Sequence, residues 1–77
     1  MKKIIQFHIY QGQKYYVAES SDIPVVTQGK SLDELILNIR EAVNLALEGE
    51  DTSELGLAPS PSVMLNFELD TQMHAPA

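Results

Sequence analysis

Apolar and polar positions along the chain change period as it is read from the N-terminus. From Ile4 to Tyr10 they alternate. Ile5, Phe7 and Ile9 point one way, and Ile4, Gln6, His8 and Tyr10 the other. A period of two is that of a strand. "QGQ" at 11–13 punctuates it, with Gly12 free to take positive φ. A second strand is read in "KYYVAES". A two-residue turn at Gly12-Gln13 sets Ile9 against Tyr16 and Phe7 against Ala18, and puts Tyr15, Val17 and Glu19 on the opposite face. "SSDIP" is a loop, and Pro24 leads into a short third strand over Val25–Thr27.

The period then lengthens. Leu32, Leu35, Ile36, Ile39, Ala42, Val43, Ala46 and Leu47 follow one another at helical steps and form one stripe, with Asn38, Arg40, Glu41, Asn44 and Glu48 off it. Ser31 before the run and Glu34 three residues on form a capping box. In that motif the serine oxygen accepts from the Glu34 amide and the Glu34 side chain returns to the Ser31 amide. Asp33 and Glu34 complement the positive helix end, and Gly49 is a natural stop. "GEDTSELGLAPSPS" reads as a connection that Leu55 and Leu57 pin to the core. "VMLNFELD" returns to period two, with Val63, Leu65, Phe67 and Leu69 set against Met64, Asn66, Glu68 and Asp70.

The order is therefore β-β-β-α-β, an α+β fold. The strand–helix–strand crossover is right-handed by rule and lays the last strand parallel to a partner. Beside the first strand it completes a small, mostly antiparallel sheet of order 3-2-1-4, with one helix on one face. At 77 residues the chain reads as one domain over 1–70 and a disordered tail over 71–77.

Composition narrows the function. Five basic residues against eleven acidic ones give a net charge of −6. Nucleic-acid affinity comes from basic residues that neutralise phosphates, so no direct nucleic-acid ligand is expected. The same charge suits a basic protein partner. With no cysteine there are no disulfides, thiolate metal sites or cysteine nucleophiles. Lys2 and Lys3 before apolar residues imitate a signal peptide. Gln6 and His8 interrupt that run, and no stretch approaches the roughly 20 apolar residues of a membrane helix. The expectation is a cytoplasmic protein that no membrane holds.

Candidate chemistry is sparse. Gly29-Lys30-Ser31 superficially resembles a phosphate loop, but the position five before Gly29 is Pro24, which has no amide hydrogen. Asp33 and Glu34 would repel a phosphate there. His8 lies on a strand away from the helix, and His74 lies in the tail; neither has the partners that catalysis or a metal requires. The acids do not converge from strand centres as two-metal hydrolysis demands, although this strand order also opens ribonuclease-H-like folds. No catalytic residue, metal site or cofactor is expected, and an enzyme is not.

What stands out is apolar surface on the sheet face away from the helix. Ile4, Tyr10, Tyr15, Val17 and Met64 fall there, with His8 among them. Small monomers rarely expose a large contiguous apolar patch. These residues are the expected association surface, for a second copy in a dimer or higher homo-oligomer or for a partner protein.

The stretch "YYVAESSDIPVVTQGKSLDELILNIREAVNLALEGE" resembles the HicB-like antitoxin family. The matching features are Tyr16 and Ala18 near the end of the second strand and a loop with a proline. Thr-Gln-Gly, the serine cap and "LDELILNIREA" follow. The likeness covers about residues 1–70. It implies an RNase-H-like partial fold without catalytic acids, and a domain that masks HicA, a small basic RNA-cleaving toxin. Many members add a C-terminal DNA-binding domain. Seven residues follow Asp70 here, so operator binding is not expected of this chain. "DIPVV" stands where many relatives carry Gly-Cys after the loop proline. The alternative is a homo-oligomeric accessory domain with no toxin.

Overall fold

The computed structural model describes residues 2–69. Met1, Asp70, the tail expected over 71–77 and His74 within it lie outside the described residues. The elements run β1 (Lys2–Gln11), β2 (Tyr16–Ser20), β3 (Val26–Gly29), α1 (Leu32–Leu47) and β4 (Leu57–Phe67). The sheet order is β3-β2-β1-β4. Both β1–β2 and β2–β3 are antiparallel, and β4 lies parallel to β1, reached by the crossover through α1. The α+β fold and the strand order are those expected from the hydrophobic pattern.

The hairpin register differs from expectation by two residues. Ile9 pairs with Ala18 and Phe7 with Ser20, because residues 12–15 form a longer loop that the Gly12 amide closes onto the Tyr15 carbonyl at 2.8 Å. Gly12, free to take positive φ, does not do so. A shift of two leaves every side chain on its expected face; a shift of one would have inverted them all. Ile5, Phe7, Ile9 and Ala18 are accordingly buried, against Leu35, Ile39 and Val43 of the helix. The loop read as "SSDIP" also contributes to the core through Ile23, and Val25 is buried beside it.

Ser31 caps α1 as expected, its hydroxyl accepting from the Glu34 amide at 3.1 Å. The reciprocal bond shifts by one residue, with the Glu34 carboxylate accepting from the Lys30 amide at 3.2 Å. At the far end Gly49 adopts φ 72°, where a glycine carries no steric cost. Gly29 sets the lateral position of the helix. A Cβ there would lie 2.6 Å from the Leu35 nitrogen and 2.8 Å from its Cα, so α1 starts hard against β3. The Asn38 amide, donating to the Gln28 carbonyl at 2.7 Å, ties the next turns to the same strand. The helix lies closest to β3 and β2.

β4 starts earlier than expected. Leu57 pairs opposite Lys2 and is buried, while Leu55 stays 40% exposed, outside the core cluster. Three extra residues bulge out between the pairs Lys2–Leu57 and Ile4–Ser62. They fall in the Pro59–Pro61 stretch, with Ser60 at φ 51°. Prolines are tolerated because β4 is an edge strand. From Ser62 to Phe67 the pairing with β1 is regular.

Candidate functional site

The sheet face away from α1 carries the residues expected to form an association surface. Tyr10 and Val17 are directly opposite one another on β1 and β2, half-buried, with Tyr15 in the turn just before β2. Ile4 and Met64 sit toward the other end of the face, near the pair Gln6–Met64. The two groups do not merge. Between them the Asn66 amide donates to Gln6 Oε1 at 3.1 Å, and His8 Nε2 lies 3.0 Å from Glu68 Oε1. Glu19 stands opposite His8 on β2. The His8 ring also stands beside Tyr10, centroids 5.9 Å apart. A polar row therefore crosses the centre of this face and divides its apolar area in two. Sequence alternation places residues on a face; the polar ties across strands depend on the register.

The other face shows a surface that the sequence reading missed. β4 pairs with β1 so that Val63, Leu65 and Phe67 lie beside Ile5, Phe7 and Ile9, on the helix side. Because α1 is drawn toward β3, it does not cover them. They remain 36%, 38% and 44% exposed, and a groove lined by Ile36, Ile39, Arg40, Val63 and Leu65 runs between helix and strand. The Tyr16 ring reaches across to Phe67, at a centroid distance of 6.0 Å. The alternation of "VMLNFELD" marked these residues as inward-facing; no pattern in the sequence says how far sideways the helix sits.

Charge divides the chain as well. All five lysines and arginines lie within residues 1–40, and seven of the eleven acids lie within 41–77. Glu41 and Glu48 flank Asn44, Leu45 and Leu47 in a shallow depression at the end of α1, and Glu50, Asp51 and Glu54 follow. Helix C-termini favour cations, yet no basic residue occupies the last turn. Leu45 is 63% exposed among these acids. The arrangement is a negative field around an apolar contact.

The perturbed carboxylates are explained by local structure. Asp22 accepts from Lys2 Nζ and from the Gln6 amide, both at 2.7 Å, and these bonds hold its carboxyl below the usual range. It takes over as a partner to β1 where β2 ends. Ser53 donates to Asp51 from both its hydroxyl, at 2.6 Å, and its amide, at 3.0 Å, which lowers that carboxyl too. Among the described residues no three His, Asp or Glu side chains group as metal ligands, and no helix is long and apolar enough to cross a membrane. Compared with family models, curated proteins and solved structures, the chain matches none.

Proposed function

We propose that this chain is an antitoxin-like binding module that masks a small, basic, RNA-cleaving protein by occlusion, with no chemistry of its own. The observation that carries the reading is the acidic end of α1. Residues 41–69 contain no lysine or arginine, and their acids surround exposed leucine at a helix terminus that is itself negative. Such a surface draws a basic partner by long-range attraction and offers it an apolar anchor. The resemblance to HicB-like domains, with their HicA-like partners and RNase-H-like partial fold, supports the same reading and implies a cytoplasmic setting. The test is inhibition. The chain is added to a small basic RNA-cleaving protein encoded beside it, and RNA cleavage is followed. The reading predicts that cleavage stops at a fixed molar ratio, and that Glu41→Lys combined with Glu48→Lys relieves the block. Cleavage that continues in excess chain contradicts it. A second reading, a homo-oligomeric accessory domain without a toxin, is favoured by the uncovered strand β4.

A further inference from the structure

We infer that two copies of this chain associate through β4, its free edge pairing antiparallel with the same strand of a second copy about a twofold axis at Leu65. The inference goes beyond the masking reading and moves the self-association surface from the tyrosine-bearing face to the edge.

In a parallel pair the hydrogen-bonding groups of a strand point alternately to its neighbour and away. The Glu68 amide donates to the Ile9 carbonyl at 2.8 Å, so even-numbered residues of β4 face β1. Val63, Leu65 and Phe67 therefore turn their N–H and C=O groups outward, along an edge that no other strand among the described residues pairs with. Edge strands of native proteins are blunted by charge, proline, bulges or brevity. The opposite edge, β3, is four residues long. β4 has prolines and a bulge only in its first half. From Ser62 to Phe67 it carries no charged residue, in a chain with net charge −6. This is where two acidic copies can meet without setting like charges face to face.

The register follows. Centred on Leu65, Val63 of one copy faces Phe67 of the other, Leu65 faces itself, and about six backbone hydrogen bonds form. Glu68 then stands opposite Ser62, away from its own counterpart. Centred on Met64, Pro61 would stand where a donor is required and has none. The same register brings Val63, Leu65 and Phe67 of both copies together between the two helices and closes the groove beside Ile36 in each. Twofold pairing of one patch with itself is the commonest form of assembly.

The chain has no cysteine, so single cysteines report the geometry directly. Opposed residues of a hydrogen-bonded antiparallel pair have Cα atoms about 5.5 Å apart, within the roughly 4.4–6.8 Å that a disulfide spans. Under mild oxidation Leu65→Cys should cross-link into covalent dimers. Val63→Cys, roughly 13 Å from its counterpart in this register, should not. The unmodified chain should sediment at twice its own mass at micromolar concentration. Sedimentation as a monomer overturns the inference. So does a dimer in which Val63→Cys cross-links as readily as Leu65→Cys, which would mean another register. The readouts need no RNA-cleaving partner, so failure here is distinguishable from failure of the masking reading.

Discussion

Strands β1 and β4 lie side by side with the same alternation, and they end up in different environments. Ile5, Phe7 and Ile9 of β1 are paired with Val63, Leu65 and Phe67 of β4. The first three are 0%, 0% and 2% exposed; the second three are 36%, 38% and 44% exposed. Neighbours in register, on one face of one sheet, thus differ in cover and in flank, β1 lying between two strands and β4 at the edge. The cover is a single helix held toward β3 by contact at Gly29 and by Asn38. Alternation specifies which side chains turn inward. Whether anything meets them depends on the helix's lateral position, and here the outermost strand is left waiting for a surface.

The sharpest way to break this comparison is to shorten matched side chains. Phe7→Ala should cost about 3–5 kcal/mol, the usual effect of emptying a buried phenylalanine site. Phe67→Ala, measured at a concentration where the chain is monomeric, should cost about 1 kcal/mol, since its ring is already half in water. Denaturant unfolding of both variants decides the matter; equal losses would mean that β4 is as well covered as β1.

Moving the helix tests why the cover is uneven. Gly29→Ala places a methyl 2.6 Å from the Leu35 nitrogen, against helix backbone that cannot rotate aside. Overpacking of this kind costs about 1–3 kcal/mol. If the helix is instead free to slide toward β4, the loss will be small and exchange of the β4 amides will change. The cap gives a smaller effect. Ser31→Ala should cost about 0.5–2 kcal/mol, because the Glu34 amide loses its acceptor. Lys30→Ala should cost far less, since the bond at that position comes from the backbone amide. Thermal unfolding of the pair checks both.

The smallest expected effect concerns Asp22, which holds the end of β1 that β2 does not reach. Its carboxyl titrates below its ordinary value in the folded chain, through the bonds from Lys2 and Gln6. A depressed folded value means that the stabilisation is present above the unfolded value, near pH 4, and is lost as pH falls through the folded one. Asp22→Asn should therefore flatten part of the acid-induced loss of stability below about pH 4, while leaving the neutral-to-alkaline range unchanged in slope. An unaltered slope in acid would remove Asp22 from this role.

Much of the fold was legible because it depends on local chemistry. The period change at Ser31, the cap and Gly49 marked where the helix starts and stops, and the strand beside β1 follows from the crossover. The hairpin register was not legible, since "QGQKY" accommodates a tight turn or the four-residue loop, and both keep Ile9 and Ala18 inward. The start of β4 was hidden by Pro59 and Pro61, which argue against a strand except at a sheet edge. The association surface was half legible. Tyr10, Tyr15 and Val17 were placed together on their face, but the ties of His8 to Glu68 and of Gln6 to Asn66 link residues about sixty positions apart and follow from pairing geometry. The exposed side of β4 required the lateral position of α1, which no periodicity encodes.

The central claim is that β4 is a covered strand on one side and an open one on the other until a second copy meets it. Residue-resolved amide exchange of the unmodified chain tests this most directly, because neighbouring amides of β4 point in opposite directions. The amides of Met64, Asn66 and Glu68 face β1 and should be protected at every concentration. Those of Val63, Leu65 and Phe67 face the edge; they should be protected together at high concentration and lose that protection on dilution. Exchange at unprotected rates for Val63, Leu65 and Phe67 at all concentrations, beside protected even-numbered neighbours, would show an edge that nothing meets and would contradict the account.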